Sequence, residues 1–262
     1  MYNFDLIKPK TLADAVAALG NGAQPLSGGQ TLLPTMKQRL ADPGTLVSLT
    51  GIPELQGVCQ GDGDIIIGGA TPHAVVAREA LTYYPALAAL AGQIGDPAVR
   101  NRGTIGGSIA NNDPSACYPA AALGSGAIIV TNNREVAADD YFLGMFETAL
   151  DEGEIVTAVK FPVPQKAAYI KFVQPASRFA LVGVFVAKFA DGVRVAITGA
   201  SNNGVFRWSE AEAALSAKFS ADALAGLTLP ADDMIADLHG SADYRAHLCG
   251  VMTKRAVMAA LA

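Results

Sequence analysis

The sequence predicts an α+β fold: a region of strands and helices hinged at glycines, then a smaller sheet covered by helices. Three observations carry this expectation. Gly–Gly pairs begin at positions 28, 68 and 106, and each reads as a turn after an apolar strand. The run Glu154–Phe161 alternates like a strand and stops at Pro162 and Pro164, which marks a candidate boundary and divides the chain into 1–163 and 164–262. Beyond that boundary, Ala190-Asp191-Gly192 joins two β-rich runs with a strong hairpin cue. The sequences between the glycine pairs do not match one another, so they mark recurring strand–turn–helix geometry rather than a repeat array.

In chain order, Lys10–Gly20 reads as a helix, with Thr11 as N-cap, Asp14 in the first turn and Gly20 at the end. Gln24–Leu26 approaches the first Gly–Gly turn, Met36–Leu40 reads as a helical turn and Thr45–Leu49 as a strand. This opening part, about 1–55, is expected to form one subdomain and 56–163 a second. In the latter, Asp64–Ile67 leads through Gly68-Gly69 to a helix with Thr71 as N-cap and Pro72 at its first position, running to about Glu79. Pro85 to about Ile94 reads as another helix. Gln93–Ala122 is too rich in Gly and Asn, and too poor in periodicity, for regular structure. Ala127–Thr131 and Arg134–Ala137 read as a strand pair across Asn132-Asn133, and Asp139–Leu150 as a helix. In the last third, Ala168–Val173, Phe179–Phe189 and Val193–Ala200 read as strands, and Ser209–Lys218 and Ala242–Ala260 as helices.

Composition excludes several function classes. About half of the 262 residues are apolar (51%), enough for a substantial core. The formal charge is −5 without a basic run, which argues against nucleic acid or an anionic membrane as the main partner. No apolar run has the length of a membrane span, and Met1–Asp5 lacks the basic start of a secretory leader, so a cytoplasmic location is expected. Cys59, Cys117 and Cys249 are dispersed, and His73, His239 and His247 show no ligand spacing, so neither an iron–sulfur cluster nor a metal site is expected in this chain.

The chemistry concentrates in two glycine-rich segments, Leu26–Leu33 and Arg100–Ser108. Glycine lets a backbone approach a ligand closely, and successive exposed amides make a nest for a phosphate or pyrophosphate. A lone Gly–Gly pair reads equally well as a plain strand connection. Neither GxGxxG between a first strand and helix nor GxxxxGK[ST] is present, which removes a classical dinucleotide fold and a P-loop nucleotidase. What remains is a cofactor such as FAD held by amides from separate loops. Arg100 and Arg102 suit a phosphate or a docked partner equally. His73 reads as a surface histidine, the acidic set Glu147, Asp151, Glu152 and Glu154 as a solvated turn, and Asp113-Pro114 as a possible helix start complicated by Pro119. Cys117 reads as a packed thiol.

The segment Ser27-Gly28-Gly29-Gln30-Thr31-Leu32-Leu33-Pro34-Thr35-Met36-Lys37 resembles the AGG…LLPxMK signature of the FAD-binding medium subunit of molybdenum hydroxylases, a family that includes xanthine and carbon monoxide dehydrogenase types. Val99–Ser108 with Asp113-Pro114 resembles its second signature, VRNxGTIGGNxxxADP, and Gly153–Val156 and Ala176–Gly183 look like later landmarks. The resemblance covers essentially the whole chain. It implies an FAD-binding domain of the p-cresol methylhydroxylase type, made of two α/β subdomains, and a C-terminal flavoprotein domain. It also implies that Leu26, Ser27, Gly28, Gly29, Gln30, Thr31, Leu32 and Leu33 wrap the pyrophosphate. Thr104, Ile105, Gly106, Gly107 and Ser108 would form a second wall, with Asn111 and Asp113 beside it. Ile94 would lie against the flavin, Ile155 near the adenosine, and Lys171 near the isoalloxazine, where a cation can stabilise reduced, anionic flavin. One position departs from the pattern. Cys117 stands where relatives commonly carry an Asp that holds the ribose, and a thiol accepts hydroxyls poorly.

By the same resemblance, the chain is expected to be an FAD-binding electron-transfer subunit without catalytic residues of its own. It would assemble with a molybdopterin-binding large subunit and a [2Fe–2S] small subunit as a heterotrimer. Electrons would pass from the iron–sulfur clusters to non-covalent FAD and on to NAD⁺, O₂ or a quinone-linked acceptor. The competing expectations are a stand-alone FAD-dependent oxidoreductase of the same fold, and a flavin-free scaffold subunit.

Overall fold

The computed structural model describes residues 1–20 and 22–262. Three sheets organise the chain. The first is parallel, with strands Asp5–Ile7, Thr45–Ser48 and Gln24–Leu26 in that order. The helix Leu12–Leu19 covers it, capped by Thr11, whose hydroxyl oxygen accepts from the Asp14 amide (3.1 Å). Ala15 and Leu19 of this helix share a small core with Val47, Ile52, Ala70 and Ile155, so the first sheet is packed onto the second.

The second sheet is antiparallel, ordered Val58–Gln60, Asp64–Gly68, Val156–Pro162, Ile128–Thr131, Glu135–Ala137. Its central strand arrives late in the chain, so the helices between residues 69 and 127 lie across the sheet as a layer. The third sheet is an antiparallel meander of Lys166–Val173, Ala180–Lys188, Val193–Ser201 and Gly204–Arg207. The strand Ala180–Lys188 is apolar and buried almost throughout because it serves two cores. Phe185 and Ala187 point to the core beneath the helix Cys117–Ser125; Val182, Val184 and Val186 point to the core beneath the helices Ser209–Ala217 and Ala242–Leu261. Successive side chains of a strand face opposite ways, so a strand covered on both sides reads as a continuous apolar run.

Several expectations are corrected by the structure. Gln93–Ala122 is not irregular but carries three short helices, Pro97–Arg100, Ile105–Asn111 and Cys117–Ser125. The first two are announced by caps: Asp96 accepts from the Val99 amide (2.9 Å) and Thr104 from the Gly107 amide (3.3 Å). The third is buried on all sides, so it has no polar face to create a helical period. The third Gly–Gly pair therefore follows no strand and sits in the first turn of a helix. Asp139–Leu150 keeps only Ala138–Tyr141 as helix and then turns into a small hairpin, Phe142–Gly144 with Glu147–Thr148. Its tip is held by the Asn112 amide, which donates to the carbonyls of Gly144 (2.8 Å) and Glu147 (2.9 Å).

Smaller differences follow similar causes. Thr71 does not cap the next helix; its hydroxyl exchanges bonds with the Gly57 backbone, and the helix starts at His73. The turn placed at Met36–Leu40 begins earlier, as Leu32–Lys37. Asp113-Pro114 starts no helix, because the Asp113 carboxylate accepts from the Ser115 amide while the Pro114 carbonyl accepts from Gly199 and Thr198. The strands Asp5–Ile7, Val58–Gln60 and Gly204–Arg207 are three or four residues long, too short to show alternation.

Arg245 fastens the last helix to the third sheet. Its side chain is buried, and one guanidinium nitrogen donates to the carbonyls of Leu181 (2.7 Å) and Gly199 (2.7 Å) while another meets Asp237 (2.8 Å). Gly199 stands at φ +83, where an added Cβ would run into the Ala180 and Leu181 carbonyls. Replacing Arg245 with Ala strands two buried carbonyls and is expected to lower unfolding free energy by about 3 kcal/mol, read as a reduced urea midpoint.

Candidate functional site

A cleft of about 640 Å³ opens between the loop after Gln24–Leu26, the start of the helix Ile105–Asn111 and the segment 148–156. Its two glycine-rich walls are tied together at the Ser27 and Thr104 hydroxyls, 2.7 Å apart. The walls meet closely because Gly28 lies directly on the backbone of Arg102 and Gly103, where a Cβ would overlap the Arg102 carbonyl. Gly29 turns the chain with φ +68, a conformation that side chains resist. Gly106 rests on Gly69, with its amide donating to the Gly69 carbonyl (2.8 Å) and no space for a Cβ between them.

The two walls differ in the backbone donors they present. From Ser27 to Thr31, no amide donates a hydrogen bond among the described residues, leaving five successive N–H groups on a loop that lines the cleft. On the second wall the amides of Ile105, Gly106, Gly107 and Ser108 are all engaged, by Thr71, Gly69, the Thr104 hydroxyl and the Thr104 carbonyl. The amide nest expected in Arg100–Ser108 is thus absent, because two of these amides bind the Gly69–Thr71 segment and two are used in starting the helix. The first loop carries the free donors; the second supplies a flat, side-chain-poor surface against it.

Of the residues singled out from sequence, Leu26, Ser27, Gly28, Gly29, Gln30, Thr31, Leu32, Ile94, Thr104, Gly106, Gly107, Ser108, Asn111, Asp113 and Ile155 line this one cleft. Four do not. Leu33 folds back onto Gly29, and Ile105 is wholly buried in the core. Cys117 is buried with its thiol 3.7 Å from the Lys171 ammonium. That ammonium donates to the carbonyls of Gln93 (2.7 Å) and Arg178 (2.8 Å), so Lys171 acts on the cleft through the backbone next to Ile94. Arg100 is used in the same way: its guanidinium donates to the carbonyls of Ile94 (3.1 Å) and Gly95 (2.9 Å), which fixes the turn that carries Ile94.

Two readings of single residues are corrected. Glu154 does not belong to a solvated turn; its side chain is fully buried. Arg134 grips it with two nitrogens, at 3.1 Å each, and the Thr131 hydroxyl and Asp151 amide complete its bonds. Burial pushes its carboxyl up, but the Arg134 fork and the other donors hold it below the ordinary carboxylate range. This knot shapes residues 150–155, most of which line the cleft. His73 is not on the surface: only 5% is exposed, its ring lies 5.3 Å from that of Tyr118, and it lines the cleft beside Val99 and Gly103. Burial, and then the charge of Arg100, lower its pKa to about 4, so the imidazole is neutral at physiological pH. The Thr-Pro-His run at the helix start located His73 in the sequence, but its depth depends on packing between distant segments.

Residues 2–164 match the family model described as the FAD binding domain in molybdopterin dehydrogenase. The chain belongs to this family. The relatives extend the match to the whole chain. It is 35% identical to the carbon monoxide dehydrogenase medium chain of Afipia carboxidovorans, across 97% of this chain and 96% of that protein. It is 30% identical to the nicotine 6-hydroxylase medium subunit of Paenarthrobacter nicotinovorans, across 96% and 95%. The solved structure of carbon monoxide dehydrogenase from Hydrogenophaga pseudoflava contains a chain that superposes with a TM-score of 0.88 at 35% identity, covering 99% of this chain and 98% of that one. The mixed α/β architecture, the oxidoreductase class and FAD as the cofactor of the matched domain accord with the resemblance seen in the sequence.

His73 supplies a pH test of the site. Its folded pKa lies below the unfolded value of 6.5, so the unfolded chain takes up a proton first as pH falls. Stability that is full above pH 6.5 is expected to drop between 6.5 and about 4, by on the order of 3 kcal/mol. Urea midpoints measured across that range are expected to fall for the wild type and much less for His73→Gln.

Proposed function

We propose that the chain binds FAD non-covalently in the 640 Å³ cleft and serves as the electron-transfer subunit of a multi-subunit molybdenum hydroxylase. The observation that carries this reading is the run of five unbonded amides, Ser27–Thr31, on a loop whose glycines abut a second side-chain-poor wall. Unpaired donors of this kind fit a pyrophosphate, and a cleft of about 640 Å³ has the size of a cofactor site. Family membership names the cofactor as FAD.

In this reading Gly28 and Gly29 bring the amides of the first wall to the phosphates, and Gly107 and Ser108 lie against them from the other side. Asn111, Asp113 and Ile155 hold the adenosine end, where the Arg134–Glu154 knot keeps residues 150–155 in place. Ile94 packs on the flavin end, positioned by Arg100 and Lys171 from behind. FAD bound there supplies one- and two-electron transfer between the [2Fe–2S] clusters of a small subunit and a terminal acceptor. The molybdopterin would belong to a large subunit, and the assembly would be a cytoplasmic heterotrimer. The family match ending at residue 164 supports a division into an FAD-binding part, 1–163 (about 1–55 and 56–163), and a C-terminal part, 164–262. Relatives named for carbon monoxide and for nicotine match this chain over nearly its whole length, which supports placing substrate choice on a partner subunit.

The test is the absorption spectrum of the chain expressed alone, with and without added FAD. A flavin band that remains after gel filtration is expected for the wild type and absent for Gly107→Leu, whose side chain would fill the space between Ser27 and the cleft. No band at saturating FAD would overturn the reading. Molybdenum and iron copurifying with the tagged native chain are expected for a subunit; their absence, with substrate turnover by the isolated flavoprotein, would point to a stand-alone enzyme.

A further inference from the structure

We propose that His73 contacts the cofactor directly, donating a hydrogen bond from its imidazole to an acceptor on the flavin–ribityl half of FAD. The inference rests on the reading of the cleft as an FAD site and adds a residue that neither glycine-rich signature contains.

Four observations support it. His73 is 95% removed from solvent, and it lines the cleft beside Gly103. The packing there is compact: the Nε2 edge of the ring packs on Gly103, so closely that a Cβ there would come within 2.6 Å of Nε2. Nδ1 is sealed from the cleft and has no hydrogen-bond partner among the described residues. The backbone around it is already committed, since the His73 amide donates to the Gly103 carbonyl (2.9 Å).

A neutral imidazole carries one proton and one lone pair. An unpaired buried donor is less tolerated than an unpaired acceptor, so the lone pair belongs on the sealed Nδ1 and the proton on Nε2. The cleft side of the ring is then a hydrogen-bond donor. Gly103, on which the Nε2 edge packs, also abuts Gly28, and Arg100, whose charge reaches the ring, holds the Ile94 carbonyl; with Ile94 read as packing on the flavin, this assigns the ring to the flavin–ribityl half. The carbonyl and ring-nitrogen acceptors of a flavin and the hydroxyls of its ribityl chain are groups that such a donor recognises. The low pKa keeps the imidazole neutral and this arrangement intact through the physiological range.

The experiment titrates FAD into the full-length apo chain by flavin fluorescence for the wild type, His73→Leu and His73→Gln, and records each bound spectrum and each apo melting temperature. His73→Leu keeps the apolar packing on Tyr118 and removes both nitrogens. It is expected to weaken FAD binding about tenfold, the effect of one lost hydrogen bond, and to change the visible spectrum of bound flavin. Its apo melting temperature is expected to stay at or above the wild-type value, because the imidazole has no partner to lose in the apo chain. His73→Gln, which carries an amide donor to nearly the same point, is expected to bind within about threefold of the wild type. Equal affinity and an identical spectrum for His73→Leu would overturn the assignment while leaving FAD binding in place. So would equal losses in both variants accompanied by lower apo melting temperatures, which would show packing alone. A wild-type chain that takes up no FAD would overturn the functional reading beneath it.

Discussion

Backbone meeting backbone is the constraint from which this site is built. Gly28 lies on Arg102 and Gly103, Gly106 on Gly69, and Gly68 and Gly69 on Leu55 and Val156, each at a distance that leaves no volume for a Cβ. These contacts bring five stretches of the chain, at 28, 55, 68–69, 102–106 and 156, into one seam. They also set the width of the cleft, because the walls cannot come closer and cannot be propped apart by side chains. With the seam closed, the Ser27–Thr104 hydroxyl pair is within hydrogen-bond distance and the amides of Ser27–Thr31 remain without internal partners. Side chains then refine what the backbone establishes. Arg100, Lys171 and the Arg134–Glu154 pair all act from behind the cleft, on carbonyls and turns, rather than reaching into it.

The sequence made the polar, backbone-driven part of the site legible. Positions Ser27–Leu32 and Thr104–Ser108 stand out because glycine beside hydroxyl residues has few structural uses, and most of them do line the cleft. Strands with strong β-branched runs, such as Asp64–Gly68 and Val193–Ser201, and helices with clear caps, such as Leu12–Leu19, were equally readable. What escaped was whatever depends on long-range packing. The helix Cys117–Ser125 is buried on every side, so its sequence lacks the polar stripe by which helices are recognised. Phe146 stands at φ +58 on a hairpin tip held by Asn112, more than thirty residues away, and nothing local distinguishes that tip from a helical turn.

Burial of single polar groups was the other limit. Glu154 sits in a stretch of acidic residues and looks solvated until Arg134, twenty residues earlier, closes on it. His73 follows Thr-Pro at a helix start, a place that is usually exposed, yet Gly103 and Tyr118 enclose it. In both cases the decisive neighbour comes from another element. The pattern also explains Cys117: a thiol at the start of a buried helix is directed to the Lys171 side of that helix and not into the cleft.

The strand Ala180–Lys188 has a bearing on how the molecule comes apart. Because Phe185 and Ala187 complete the core that holds Ile67, Ile105 and Tyr118, the third sheet is structurally the lid of the cofactor-binding region. A cut after the residues matched by the family model would lay bare the whole inner side of Cys117–Ser125. The boundary marked by Pro162 and Pro164 is therefore a change of sheet and not a line of weakness. Unfolding should be cooperative across it, with the glycine-rich walls and the C-terminal meander lost in one transition.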